Sequence, residues 1–96
     1  MVLDVSKIRG IGKYTVKNEP SRDLYFRGQL VFLVIHRNTI EIRCDSRLSE
    51  VLKDKYESVM ESRYYGRGGI EIVLAGQQLS PQEIEDLIRL SYNITS

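Results

Sequence analysis

The feature that most constrains this 96-residue chain is an uninterrupted run of six apolar residues at positions 30–35. The run is rich in β-branched and aromatic side chains, and it is far shorter than the ~20 residues that a membrane-spanning helix needs. Such runs are typical of strands that are covered on both faces. We therefore predict that residues 30–36 form an inner strand of a β-sheet.

A partner strand is predicted directly after this one, across a two-residue turn at Arg37-Asn38. Asn tolerates a positive φ, which suits a tight hairpin. Residues 39–44 then alternate in polarity, so that one face would carry Ile40, Ile42 and Cys44 and the other Thr39, Glu41 and Arg43. Alternation with period two indicates one face in the core and one in solvent.

The remaining strands are shorter, and the N-terminus is ambiguous. Strands are predicted at residues 14–17, around residues 24–26 before a turn at Gly28, and at residues 70–74 before a turn at 75–78. Residues 1–13 have partial helical spacing interrupted by glycines, so that a short helix and an extended arm remain alternatives. The conformation of residues 1–23 is therefore left open.

Two helices are predicted from their capping residues. Asp45 is the N-cap of the first helix, whose apolar face carries Leu48, Val51, Leu52 and Tyr56. Ser80, Pro81 and Glu83 form a capping box at the start of the second, with a hydrophobic staple and an apolar stripe made by Leu79, Ile84, Leu87 and Ile88. Between the helices, the glycine-rich residues 57–69 predict a mobile loop ahead of the strand at 70–74.

Together these elements predict one α+β domain over residues 1–96, an antiparallel sheet with helices packed on one face. Hydrophobic residues make up 42% of the chain and charged residues 28%, which is ordinary for a folded domain. The single cysteine excludes an intrachain disulfide, and with no signal sequence or membrane span we expect a cytoplasmic location.

Charge is distributed unevenly although the net charge is only +1. Residues 1–44 carry eight Lys or Arg against four acids, whereas residues 70–96 carry one Arg against four acids. The asymmetry indicates either a basic working face opposite an acidic helix or a solvated surface without a partner.

No residue pattern indicates a reaction, a metal site or a cofactor. His36 has no identifiable partner and is expected to be a plain surface residue, while Cys44 falls on the apolar face of its strand and is expected to be an inert buried thiol. The glycine run at 66–69 precedes a strand and lacks the Gly-Lys-Ser/Thr ending of a phosphate-binding loop. We therefore expect a non-enzymatic domain.

Basic and aromatic residues interleave only at residues 63–67. Arginine neutralises phosphates and tyrosine rings offer faces on which bases stack, so this segment suggests contact with nucleic acid. The competing interpretation is that Tyr64 and Tyr65 cover the sheet edge while the arginines pair with Glu57 and Glu61.

Residues 24–95 resemble the MmcQ/YjbR family of small bacterial proteins. The resemblance rests on the apolar strand at 30–34, the Ile42-Arg43-Cys44-Asp45 junction, the segment at 62–67 and the final helix closing on Ser91-Tyr92. It implies a two-layer fold similar to frataxin-like and secretion-chaperone-like domains, in a family commonly described as DNA-binding. The family's tryptophan after the basic loop is absent, with Ile70 near its place, and its N-terminal helix is shortened to residues 1–13.

The leading hypothesis is a DNA-binding domain that contacts three or four phosphates through Arg43, Arg63, Tyr64 and Arg67, with a log–log salt slope of about −3 to −4 on duplex DNA. The alternative is a protein-interaction or homodimerisation module, which would use an unpaired edge strand or the apolar side of the N-terminal arm. No membrane, metal or cofactor is expected among the partners.

Overall fold

The computed structural model describes residues 3–76 and 78–95. There, six antiparallel strands form one sheet in the order β1-β2-β3-β4-β6-β5, and two helices pack on one of its faces. This arrangement confirms the predicted fold class. The elements are β1 (Thr15–Asn18), β2 (Arg22–Arg27), β3 (Leu30–His36), β4 (Thr39–Arg43), α1 (Ser46–Lys55), β5 (Val59–Ser62), β6 (Gly66–Val73) and α2 (Pro81–Ile94), preceded by a 3-10 turn at Val5–Lys7.

The apolar run forms the inner strand β3, as predicted, and its residues 31–34 are at most 5% exposed. On the helix-covered face, Leu33 lies opposite Ile42, which in turn lies opposite Ile70. The turn between β3 and β4 does form at Arg37-Asn38, but no non-glycine residue of the described ranges has a positive φ. The expectation that Asn38 would adopt a left-handed conformation in this turn was therefore wrong.

Residues 57–69 are not the predicted loop. They contain β5 and the first half of β6, which together form a hairpin at one edge of the sheet. Gly69 lies where this hairpin meets β4, because a Cβ at this position would come within 2.4 Å of the Ile42 carbonyl oxygen. Gly69, which looked like part of a flexible loop, instead allows a close approach between backbones.

Both helices begin where the sequence predicts. The Asp45 side chain accepts a hydrogen bond from the Leu48 N–H (2.9 Å) at the start of α1. Helix α1 buries Ser49 and Leu52 against the sheet, whereas Val51 is 59% exposed, so its assignment to the apolar face was wrong. The other three predicted residues do face the core: Leu52 is buried, and Leu48 and Tyr56 are partly buried against it. Ser49 is the buried position that the spacing did not predict.

The start of α2 has the full predicted capping box. Ser80 Oγ accepts from the Glu83 N–H (3.1 Å), and a Glu83 carboxylate oxygen accepts from the Ser80 N–H (3.0 Å). Leu79 and Ile84 are both buried in the main core, as the staple requires. Of the turn predicted just before this helix at 75–78, residue 77 lies outside the described residues.

Helix α2 also ties the sheet to the N-terminal segment. Ser91 is fully buried, where its hydroxyl donates to the Phe32 carbonyl (2.6 Å) and accepts from the Arg43 N–H (2.8 Å). The Tyr92 hydroxyl donates to the Lys13 carbonyl (2.9 Å). Because Val5 and Ile8 are buried in the same core, the apolar side of the N-terminal segment is occupied within the chain itself.

Candidate nucleic-acid interface

The face of the sheet opposite the helices carries a row of four side chains that lie opposite one another across β2, β3, β4 and β6. The register pairs Leu24 with Val34, Val34 with Glu41, and Glu41 with Glu71. A bulge between Tyr25 and Phe26 also brings Val31 to this side, and these apolar residues form a small second core. We call this side the helix-free face.

Glu41 lies at the centre of this face and is 1% exposed, so the expected solvent-facing position was wrong for it. One carboxylate oxygen accepts from Ser62 Oγ (2.7 Å) and from the Tyr64 N–H (2.8 Å), and the other accepts from His36 Nε2 (2.5 Å). Burial by itself would raise the pKa of Glu41, but the hydrogen bonds from His36, Tyr64 and Ser62 lower it below its ordinary value. Glu41 is therefore an ionised carboxylate inside the fold.

Glu71 is the second buried carboxylate of the helix-free face. It binds Arg63 in a bidentate pair, through Nε (2.9 Å) and Nη2 (2.7 Å), and accepts from Thr39 Oγ1 (2.7 Å). Burial acts to raise the pKa of Glu71, whereas the bonds from Arg63 and Thr39 lower it, and the net shift is downward. Arg63 therefore pairs with Glu71, and not with Glu57 or Glu61 as the competing interpretation expected.

The turn between β5 and β6 folds onto this face and brings two tyrosines with it. Tyr65 packs on the small apolar core, and its hydroxyl donates to the Val31 carbonyl (2.8 Å). Burial raises the pKa of Tyr65. The Tyr64 ring meets the Tyr65 ring edge-on, with centroids 4.9 Å apart, and remains 42% exposed.

Two arginines flank this pair of rings. The Arg43 guanidinium lies 5.6 Å from the centre of the Tyr65 ring, and that of Arg22 lies 5.8 Å from the centre of the Tyr64 ring. Arg22 also donates to Glu19 through Nε (2.6 Å). The order across the surface is therefore Arg43, Tyr65, Tyr64 and Arg22, which we call the tyrosine platform.

A surface pocket of about 330 Å³ adjoins the platform and is lined by Arg22, His36, Glu41, Arg63 and Tyr64. His36 is thus not a plain surface residue: its side chain is 16% exposed and is oriented by the Glu41 carboxylate. Its Nε2 must carry the proton, because an ionised carboxylate can only accept.

The structure brings together three of the four candidate residues from the sequence. Arg43, Arg63 and Tyr64 all lie on the helix-free face, as the register and the ring contacts show. Arg67 instead lines a different pocket, beside α1, together with Arg47, Lys53 and neighbouring residues. It is therefore not part of the tyrosine platform.

Sequence reasoning missed Arg22, His36, Glu41, Tyr65 and Glu71 as members of the site. The alternation in β4 and β6 does assign both glutamates to the face opposite the apolar one. Their burial depends on the β5–β6 turn folding over them, which no local pattern encodes. Cys44 is buried as expected, and burial raises the pKa of its thiol to about 11.

Comparison with known proteins supports the fold. A protein from Pseudomonas syringae, solved by structural genomics, superposes with a TM-score of 0.71 at 14% sequence identity, over 86% of this chain and 87% of that chain. At this identity the likeness shows a shared fold alone. No family model and no curated protein matches the chain.

Two structural observations bear on partners. No helix within residues 3–76 and 78–95 is long and apolar enough to span a membrane. In the same part of the chain, no group of three or more His, Cys, Asp or Glu side chains is placed to hold a metal ion.

Proposed function

We propose that this domain binds single-stranded nucleic acid on its helix-free face, through the tyrosine platform. The observation that carries the proposal is the exposed Tyr64 ring, which is held edge-on against Tyr65 with a guanidinium at each end of the pair. A base stacked on such a ring contributes about 1–3 kcal/mol and needs no particular sequence.

The shape of the face favours a single strand over a duplex. Both helices pack on the opposite side of the sheet, so neither presents a surface to a major groove from this side. Single strands expose the faces of their bases, and a sheet with an exposed aromatic side chain can stack them.

Charge on this face favours weak binding. Arg43 has no carboxylate within 4.0 Å among the described residues, and its full charge is available to a phosphate. Arg22 and Arg63 are paired with Glu19 and Glu71 but keep free N–H donors, since a guanidinium has five. Two or three phosphate contacts support an affinity of about micromolar or weaker at moderate salt.

The resemblance to the MmcQ/YjbR family adds to this proposal, because Arg43, Arg63 and Arg67 match basic positions of that family and the first two lie on the helix-free face. On this basis we propose a bacterial, cytoplasmic protein of MmcQ/YjbR type that acts as a binding module. A role without catalysis is supported by the structural use of these groups, because Glu41 and Glu71 hold the β5–β6 turn and His36 Nε2 donates to Glu41.

Fluorescence anisotropy with a labelled oligothymidine of about 12 nucleotides tests this function, because that length covers a typical single-strand site. We expect Tyr64→Ala to weaken binding roughly tenfold and Tyr64→Phe to retain it, because stacking needs the ring and not the hydroxyl. Arg43→Gln should weaken binding by a similar factor. Arg67→Gln removes the same charge from the pocket beside α1 and is the matched control.

These measurements test separately the site of binding and the binding of nucleic acid itself. Equal losses for Arg43→Gln and Arg67→Gln would show a diffuse attraction to positive charge and would remove the platform as the site. Absence of binding by the wild type at about 50 mM salt, where phosphate contacts are strong, would remove the function.

A second candidate function is protein interaction by strand addition at β1. Among the strands of the described ranges this strand pairs only with β2, all four of its residues are exposed, and Val16 is 43% exposed. An unpaired edge accepts a strand from another chain. Size-exclusion chromatography discriminates: concentration-dependent dimers without oligonucleotide binding would favour this candidate.

A further inference from the structure

The two buried carboxylates of the helix-free face bind three consecutive residues of the β5–β6 turn. Glu41 accepts from Ser62 Oγ and from the Tyr64 N–H, and Glu71 binds the Arg63 guanidinium between them. The Ser62 hydroxyl oxygen in turn accepts from the Tyr65 N–H (2.9 Å). The backbone N–H groups of both platform tyrosines are therefore linked to Glu41, directly at Tyr64 and through the Ser62 hydroxyl at Tyr65.

Burying two carboxylates opposite each other is costly for stability. Directly opposed like charges destabilise a sheet, and a buried ion pair is frequently no more stable than an apolar pair of similar volume. Val34, on the other side of Glu41 in the same row, is fully buried and shows that the row accepts apolar side chains. We therefore explain the two glutamates by the single conformation of the β5–β6 turn that they select, and not by a gain in the stability of the fold.

We propose that Glu41 is a positioning residue, which holds the Tyr64 ring in its binding orientation before any ligand arrives. This inference rests on the proposed function and deepens it. A platform ordered in advance loses less conformational freedom on binding, and its affinity is higher for the same contacts. Ser62 links Glu41 to Tyr65, because its hydroxyl donates to the Glu41 carboxylate and accepts from the N–H of Tyr65.

Three variants separate positioning from general stability. Glu41→Gln and Ser62→Ala each remove part of the link to the turn. Thr39→Val is the matched control, because it also removes a hydroxyl donor from a buried glutamate, but the glutamate is Glu71 and the donor is outside the turn. For each variant, the thermal midpoint is measured together with the affinity for the same oligothymidine, at a temperature where the protein is fully folded.

We expect Glu41→Gln and Ser62→Ala to weaken binding roughly 5- to 10-fold, which lies within the range for the loss of one ordinary hydrogen bond, and Thr39→Val to change it less than about twofold. Losses of affinity that follow the thermal midpoint in all three variants would overturn the proposal, as would unchanged affinity in the first two. If Glu41→Gln does not fold, Ser62→Ala decides in the same way.

A second measurement judges the inference even if no nucleic acid binds. Amide ¹⁵N relaxation of Glu41→Gln, or of Ser62→Ala, should show increased motion at Tyr64 and Tyr65 and unchanged motion in α1. Rigid amides at both tyrosines would overturn the positioning role. Wild-type protein that binds no oligonucleotide, with mobile tyrosines in the variant, would refute the proposed function and leave the positioning role supported.

Discussion

At the scale of single residues, Glu41 and Glu71 are charged groups with almost no contact with solvent. Each remains ionised because hydrogen bonds to the carboxylate outweigh the effect of burial on its pKa. Such a lowered pKa stabilises the fold above the unfolded-state value, and the stabilisation is lost as the pH falls through the folded-state value.

We therefore predict that the free energy of unfolding falls as the pH is lowered from about 5 towards 3, the range in which carboxylates titrate. Glu71→Gln should make this dependence shallower, because one of the two lowered pKa values is removed. Chemical denaturation at a series of pH values measures it. A variant whose pH dependence matches that of the wild type would contradict the lowered pKa of Glu71 in the folded state.

Gly69 is the residue whose size matters most for placing the platform. A Cβ there would come within 2.4 Å of the Ile42 carbonyl oxygen and 2.8 Å of the Tyr65 side chain, whereas at Gly68 it would meet only the Tyr65 carbonyl oxygen, at 3.5 Å. We predict that Gly69→Ala destabilises the protein by about 1–3 kcal/mol, as overpacking does, and that Gly68→Ala changes stability by less than about 0.5 kcal/mol.

Urea unfolding of the two glycine variants measures this difference. If both alanines are tolerated equally, the β5–β6 hairpin does not approach β4 as closely as described.

At the scale of elements, α2 contributes a hydroxyl that joins two strands. Buried Ser91 bridges the Phe32 carbonyl of β3 and the Arg43 N–H of β4. We predict that Ser91→Ala costs about 1–3 kcal/mol, because two buried backbone groups lose their partner. Ser46→Ala, an exposed position at the start of α1, is the control. Equal midpoints in thermal melts of the two variants would contradict the bridge.

Elements with strong local signals could be predicted from the sequence, and the hairpin that builds the site could not. Three predicted features each depend only on residues a few positions apart in the chain. They are the apolar run of β3, the Asp45 cap and the Ser80 capping box. Strand β5 gives no such signal, since two of its four residues are exposed and glycines follow it. The placement of Glu41 beside Glu71 depends on the pairing of β4 with β6, which joins residues that are 30 positions apart in the chain.

At the scale of the whole molecule, few unpaired arginines lie at the tyrosine platform, although residues 1–44 carry an excess of basic side chains. Of the arginines near the platform, Arg22 and Arg63 are paired with carboxylates and only Arg43 is free of one within the described residues. Arg67 lies beside α1. The tyrosine platform therefore offers arginines for two or three phosphate contacts, where the sequence predicted three or four.

This charge distribution predicts a shallow salt dependence. Two or three phosphate contacts give a log–log slope of about −1.4 to −2.1 on a single strand. Anisotropy titrations at several salt concentrations measure it. A slope steeper than about −4 would require many more cations than the helix-free face provides.

We propose that the helix-free face, and not the helical face, binds the nucleic acid. An NMR titration of ¹⁵N-labelled protein with the oligothymidine tests this most directly, because every amide reports its own position. We predict that chemical-shift changes concentrate at Arg22, Arg43 and residues 62–66, with α1 and α2 largely unchanged. Chemical-shift changes centred on the helices, or no changes at saturating oligonucleotide, would contradict binding at the helix-free face.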